Sequence, residues 1–99
     1  MKISFTEREP QKNLDQISQL LEGRKLADLV SFQLRGKDLE VVIKKMGTST
    51  LRFAHSESST GMLWELRDEK IALTHRAFKD EMLEKIIKLV NQAGGEVDL

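Results

Sequence analysis

The stretch from Val30 to Ile43 constrains the fold more than any other part of the chain. In it, two runs of alternating apolar residues flank the tetrapeptide Arg35-Gly36-Lys37-Asp38. A two-residue loop at Gly36-Lys37 places glycine at the first central position of a type II′ turn, where φ must be positive. The sequence therefore predicts a β-hairpin with all of its apolar side chains on one face. The predicted cross-strand pairs are Val30–Ile43, Phe32–Val41 and Leu34–Leu39.

Three shorter apolar segments predict three more strands of the same sheet. They are the stretches 51–53, 62–66 and 71–73. A loop centred on Gly47 joins the second strand to the third, and the polar stretch 56–61 joins the third to the fourth. The alternation gives five sequential strands, an antiparallel meander with one apolar face. The predicted pairs are Leu51–Ile43, Phe53–Val41, Trp64–Phe53, Leu66–Leu51, Ile71–Leu66 and Leu73–Trp64.

Two amphipathic helices are predicted to cover this apolar face. Pro10 suits the first position of one helix, which ends near Gly23, and a broad apolar stripe over 78–90 predicts the other. With a short first strand around Ile3, the order is β-α-β-β-β-β-β-α. The chain is thus expected to be a two-layer α+β sandwich, a mainly antiparallel meander sheet with both helices packed on one face. The first strand is expected to run parallel to a neighbour, and residues 94–99 are expected to fray.

Composition limits what else the chain can be. Its 99 residues are expected to form one domain, 1–99, and they carry 16 basic and 16 acidic side chains, so bulk charge does not favour a polyanion partner. The absence of cysteine excludes disulfide bonds, thiolate metal ligands and cysteine nucleophiles. No apolar run reaches the roughly 18 residues of a membrane span, and the N-terminus lacks the apolar core of a signal peptide. A cytoplasmic protein without a membrane partner is therefore expected.

No sequence motif points to catalysis. The chain has no Gly-x-Ser-x-Gly motif and no histidine beside an obvious nucleophile and carboxylate, so neither an enzyme nor a cofactor is expected. One alternative is a metal site, because the predicted registers align His55, Met62 and His75 across three strands, and two imidazoles with a thioether can hold Cu(I). The two histidine backbones would then lie about 10 Å apart, which is wide for a single ion. Simple rim positions are the better interpretation, and no metal is expected.

The face of the sheet turned away from both helices is the predicted functional surface. Val42 and Leu63 make its middle weakly apolar, and Arg52 falls opposite Glu65 as a predicted cross-strand ion pair. These four residues are the candidate protein-binding site, because an uncovered, partly apolar sheet face suits a protein interface. The sequence thus predicts a small binding module that acts on a protein partner, in the manner of an adaptor, antitoxin or immunity protein, or on a second copy of itself.

Two other functions remain open from the sequence. The first is nucleic-acid binding by Lys44, Lys45, Arg67 and Lys70 at one end of the sheet, although every aromatic ring maps to the buried side and leaves no surface for base stacking. The second is a small apolar ligand held between the last helix and the sheet. The side chains that would line such a gap are Trp64, Met62, Met82 and Phe78.

Overall fold

The computed structural model describes residues 1–99 as a six-stranded sheet with two α-helices packed on one of its faces. Every neighbouring pair of strands is antiparallel, so the predicted α+β sandwich with a meander sheet is confirmed. The strand order across the sheet is β2-β3-β4-β5-β1-β6. The elements are β1 (Lys2–Phe5), α1 (Pro10–Leu21), β2 (Val30–Arg35), β3 (Asp38–Lys44), β4 (Thr48–Ser58), β5 (Gly61–Lys70), α2 (Lys79–Gln92) and β6 (Glu96–Asp98), with short 3₁₀ helices at Lys25–Asp28 and Leu73–Phe78.

The hairpin of β2 and β3 forms as predicted. Gly36 has a φ of +62°, and Lys37 after it does not have a positive φ. This is the combination that a type II′ turn requires. Leu39, Val41 and Ile43 of β3 are almost completely buried, since they belong to the core between the sheet and the helices. The three predicted pairs, Val30–Ile43, Phe32–Val41 and Leu34–Leu39, are all present.

The third strand of the meander was predicted on the correct face but in the wrong register. The loop 45–47 has the expected odd length, but it centres on Met46, whose φ is +52°, instead of on Gly47. The pairing therefore shifts by two residues, which preserves the alternation and keeps the apolar side chains of β4 buried. The observed pairs are Val41–Leu51 and Leu39–Phe53, in place of Ile43–Leu51 and Val41–Phe53.

The strands β4 and β5 form one long hairpin, so the loop predicted over 56–61 is wrong. A two-residue turn, Ser59-Thr60, joins them. Arg8 closes this turn by donating three hydrogen bonds, of 3.0, 3.0 and 3.2 Å, to backbone carbonyl oxygens around it. A bulge after Arg52 shifts the register midway along the hairpin. The observed pairs are Arg52–Asp68, Phe53–Leu66 and His55–Trp64, so the predicted pairs Trp64–Phe53, Leu66–Leu51 and Arg52–Glu65 do not form.

The two ends of the chain complete the sheet in a way that the sequence analysis did not predict. The fifth meander strand expected over 71–73 is absent, because β5 extends to Lys70 and the chain then enters the 3₁₀ helix before α2. The edge of β5 is therefore free to pair with β1, which runs antiparallel to it and not parallel to a neighbour. Residues 96–98, in the tail expected to fray, form β6 beside β1. The observed order is thus β-α-β-β-β-β-α-β.

Trp64 and Phe5 anchor the core between the sheet and the helices. The Trp64 ring is completely buried, meets Phe5 edge-on with ring centroids 5.8 Å apart, and donates a hydrogen bond from Nε1 to the Lys37 carbonyl oxygen at 2.8 Å. Gly95 lets the C-terminal tail pack on Phe5, because a Cβ at this position would lie 2.8 Å from Phe5 Cζ. Neither helix has the length and apolar character that crossing a bilayer would require.

Candidate binding surface on the uncovered sheet face

The sheet presents one face to the helices and leaves the other without cover. Side chains alternate along a strand, so the residues between the buried ones in β3 and β4 point away from the helices. Glu40 and Val42 in β3 lie directly opposite Arg52 and Thr50 in β4, and all four belong to this second face. We call it the uncovered face.

At the centre of the uncovered face, one buried carboxylate holds two arginines. Glu40 is only 6% exposed. Its Oε2 accepts hydrogen bonds from Arg35 Nε at 2.9 Å and from Arg52 Nε at 3.1 Å, and its Oε1 accepts one from the Gln33 amide. The two arginine side chains are 61% and 51% exposed. We call Gln33, Arg35, Glu40 and Arg52 the arginine cluster.

The hydrogen bonds of the arginine cluster favour the charged form of its carboxylate. The Arg35 guanidinium, followed by the Gln33 amide and the Arg52 guanidinium, holds the pKa of Glu40 below its ordinary value, while burial acts in the opposite direction. The carboxylate therefore stays ionised at neutral pH. Both arginines use Nε for this contact, so the terminal nitrogens of each guanidinium are left for an outside partner.

Two open cavities, of about 350 and 260 Å³, adjoin the arginine cluster. Arg35, Glu40, Arg52 and Asp68 line both of them, and Lys70 lines the larger. Three of these five side chains are basic and two are acidic, which gives a formal charge of +1. The volumes lie near the lower limit for small-molecule pockets, and the cavities suit individual side chains of a partner better than an enclosed ligand.

The predicted apolar middle of the uncovered face does not form. Val42 and Leu63 lie on this face and are half-buried, but they pair with Thr50 and Ser56, which are six residues apart along β4. At about 3.3 Å per residue the two side chains are roughly 20 Å apart, so they do not make one patch. The arginine cluster occupies the middle of the face instead.

Arg52 and Glu65, which were predicted to pair, have different partners. Arg52 belongs to the arginine cluster, whereas Glu65 contacts Arg67 Nη2 at 2.9 Å and Lys2 Nζ at 3.6 Å. Glu40 was not among the predicted site residues. A signal for it was present, because the correctly predicted hairpin register places Glu40 directly opposite Gln33.

The four basic residues predicted for nucleic-acid binding are not gathered into one site. Lys45 Nζ lies 5.4 Å from the centroid of the Phe78 ring, a cation–π contact on the helix side, and Arg67 is held in an ion pair. Lys44 and Lys70 are on the uncovered face. All five aromatic side chains belong to the core or pack against it, so no ring is presented for stacking.

The predicted alignment of His55, Met62 and His75 is wrong. His75 lies in the 3₁₀ helix before α2, where its Nε2 donates to the Lys45 carbonyl oxygen at 2.7 Å and its Nδ1 lies 2.5 Å from Ser49 Oγ. Ser49 precedes His55 by six residues of β4, so the two imidazoles are roughly 20 Å apart. No group of three or more histidine, aspartate or glutamate side chains is arranged to hold a metal ion.

The space between α2 and the sheet is filled. The cavity there has a volume of about 10 Å³ and is lined mainly by apolar side chains, among them Leu51, Phe78 and Met82. That volume is at the lower limit for a single water molecule. Met62 and Trp64, which were expected to line a ligand gap, are fully buried and do not border this cavity. An apolar ligand would have to displace core side chains to bind here.

Comparison with known proteins adds no assignment. No protein-family model matches the chain, and the searches find no similar curated protein and no similar solved structure.

Proposed function

We propose that the protein is a non-catalytic binding module that recognises an acidic segment of a protein partner through the uncovered face. The observation that supports this function is the arginine cluster, in which buried Glu40 holds two exposed arginines on a face that neither helix covers. The uncovered face is also the surface predicted from the sequence. Its centre, however, is the charged arginine cluster and not the apolar pair Val42 and Leu63.

Pre-organisation is the physical reason for assigning binding to this cluster. An arginine side chain carries about 2 kcal/mol of rotamer entropy, much of which is lost when a complex fixes it. Arg35 and Arg52 are anchored at Nε in the free protein, so part of that loss precedes binding. Their planar guanidinium groups then offer N–H donors in the geometry that matches a carboxylate. Arginines are also frequent centres of protein interfaces.

The charge and shape of the surface favour an acidic protein segment. Arg35, Arg52 and Lys70 outnumber the two acidic groups, Glu40 and Asp68, that border the larger cavity, and Glu40 already accepts three hydrogen bonds. Carboxylates of a partner can therefore bind the free guanidinium nitrogens. Phosphates of a nucleic acid could use the same donors, but its bases would find no exposed ring on which to stack. A protein partner is thus the better match.

Capture from a native extract with matched variants tests this function. Thr50 lines the same cavity as Lys70, and Thr50→Glu places a negative charge there while leaving the arginine cluster intact. We expect Thr50→Glu and Arg52→Met each to lose a partner that the wild type retains, because the first repels an acidic segment and the second removes a donor. Ser18→Glu adds the same charge on the exposed side of α1 and should leave capture unchanged.

Urea denaturation of each variant separates lost binding from lost folding. If all variants retain the same proteins as the wild type, or if the wild type retains none, the proposal is wrong. Retention of nucleic acid that is released at moderate salt and abolished by Thr50→Glu would favour the nucleic-acid alternative instead.

A further inference from the structure

We infer that β2 is a docking edge for a second copy of this chain, and that two copies join their sheets by antiparallel β2–β2 pairing. β2 is one of the two outer strands of the sheet. It is six residues long, contains one charged residue and has no proline, so it lacks the features that usually protect an edge strand from pairing. This inference is independent of the acidic-partner proposal.

The hydrogen-bond pattern of the hairpin shows which backbone groups of β2 are free. The residues that flank a two-residue turn, of which Arg35 is one, form a hydrogen-bonded pair, and such pairs alternate along the ladder. The Lys44 N–H donates to the Leu29 carbonyl oxygen at 2.8 Å, which agrees with this pattern, because the backbone N–H and C=O groups of odd-numbered residues then point toward β3. The N–H and C=O groups of Phe32 and Leu34 therefore point away from the sheet.

Burial limits the pairing to the second half of β2. Val30 is 2% exposed, so another strand cannot reach its backbone. Phe32 and Leu34 are only partly buried, and they pack at the margin of the core. A two-fold axis at Gln33 uses both residues, because Phe32 of each copy then pairs with Leu34 of the other. About four backbone hydrogen bonds would join the two copies in this register.

The register centred on Gln33 is self-complementary. Each Phe32 meets a Leu34 of the second copy, which covers two half-exposed apolar pairs. On the uncovered face the two Gln33 side chains meet at the axis, and each Arg35 lies opposite Ser31 of the second copy. No like charges are opposed, and the two Arg35 residues are roughly 13 Å apart along the strands.

The other edge of the sheet is protected against the same pairing. β6 has three residues, and two of them, Glu96 and Asp98, are acidic. An antiparallel pair of β6 strands centred on Val97 would place these carboxylates directly opposite each other. A β2–β2 dimer therefore ends in two protected edges, and the assembly closes at two copies.

Sedimentation equilibrium from micromolar to millimolar protein tests the inference with a charge reversal at one site. Ser31 is exposed and makes no side-chain hydrogen bond. Ser31→Lys would oppose Arg35 of the second copy twice in each dimer, and we expect the dimer Kd to rise by about 3- to 30-fold. Ser31→Glu would face the same arginine with opposite charge, so Kd should stay the same or fall. Arg52→Met, in β4, should leave Kd unchanged even though it is expected to lose the acidic partner.

Amide hydrogen exchange locates the interface. Exchange at the N–H groups of Phe32 and Leu34 should slow as the protein concentration rises, while exchange in β6 should not respond. A wild type that stays monomeric at about 1 mM overturns the inference. So does a dimer whose Kd responds in the same direction to both Ser31 variants, or one whose concentration-dependent protection lies outside β2.

Discussion

A single methyl group at position 61 is expected to disrupt the docking of β1. Gly61 is buried at the start of β5, with φ at +157°, and the end of the neighbouring strand β1 lies directly beside it. A Cβ on this residue would lie 1.9 Å from the Phe5 carbonyl oxygen and 2.8 Å from Thr6 Cα, both of which are backbone atoms. Rotation of a side chain cannot relieve these contacts. Gly61→Ala must therefore displace the end of β1 from the sheet.

The size of the effect follows from comparison with a second glycine. Gly23 has φ at +79°, and nothing lies within 4 Å of the position that its Cβ would occupy. Gly23→Ala should therefore cost only the strain of an L-residue at positive φ, about 1–2 kcal/mol. Gly61→Ala adds a displacement that breaks hydrogen bonds worth about 1 kcal/mol each and loosens the packing of Phe5 by about 2 kcal/mol or more. We expect Gly61→Ala to lower the free energy of unfolding by at least about 4 kcal/mol.

Urea denaturation followed by Trp64 fluorescence measures both variants, because the indole ring contacts Phe5 in the core. In a domain of this size about 1 kcal/mol corresponds to roughly 4–8 °C in Tm. Gly61→Ala should therefore lower Tm by about 16 °C or more, and Gly23→Ala by about 4–16 °C. If the two variants differ by less than about 1 kcal/mol, the close approach of β1 to Gly61 is refuted.

Two further substitutions test the polar interactions. Glu40→Gln should lower the free energy of unfolding at neutral pH. The gap in this free energy between variant and wild type should shrink as the pH falls below about 4.5. The reason is that the pKa of Glu40 is lower in the folded state than in the unfolded state, so its ionised carboxylate stabilises the fold at higher pH and this stabilisation is lost as the carboxylate protonates. Urea titrations of both proteins at pH 7 and pH 3 measure the free energies of unfolding, and a difference that does not shrink at pH 3 would contradict the prediction. Ser49→Ala removes a buried hydroxyl that accepts from the Ala72 N–H at 2.9 Å and contacts His75 Nδ1, and it should cost about 2–4 kcal/mol. Thr48→Ala, at an exposed neighbouring residue, should change the free energy of unfolding by less than about 0.5 kcal/mol. Equal effects of Thr48→Ala and Ser49→Ala would contradict a stabilising role for the hydrogen bonds of Ser49.

Alternation along the strands predicted which side chains are buried, but it did not predict how all the strands align. At the turn 36–37 the glycine and the loop length together determine the pairing, so the hairpin register was correct. At the next turn both Gly47 and Met46 have positive φ, +139° and +52°, and the loop centres on Met46, where such a φ is uncommon because the residue has a side chain. The bulge after Arg52 has no mark in the sequence. The centre of the loop 45–47 and the bulge leave the same side chains buried, but they change which residues pair across neighbouring strands.

The positions of the first and last strands depend on distant parts of the chain, which is why local patterns did not reveal them. β1 pairs with β5 because no strand forms over 71–73 to take that edge. β6 contains one apolar residue, Val97, which is too little for any periodicity to show. It is ordered by pairing with β1 and by Gly95, whose missing side chain leaves room for Phe5.

The error in register also hid the candidate site. A loop centred on Gly47 would place Arg52 opposite Val42, whereas the observed loop, centred on Met46, places it opposite Glu40. The arginine cluster therefore exists only because β4 is displaced by two residues from the expected pairing.

The loop 45–47 connects the candidate site to the far side of the molecule. The loop 45–47 is held by two hydrogen bonds from the 3₁₀ helix before α2: His75 Nε2 donates to the Lys45 carbonyl oxygen at 2.7 Å, and Thr74 Oγ1 donates to the Met46 carbonyl oxygen at 2.8 Å. These contacts fix the shape of the loop, the loop fixes the register of β4, and the register brings the second arginine to the buried carboxylate. A strand register changes in whole steps, and a one-residue slip would turn the buried side of β4 to solvent. The arginine cluster therefore depends on contacts made by the 3₁₀ helix on the opposite side of the sheet.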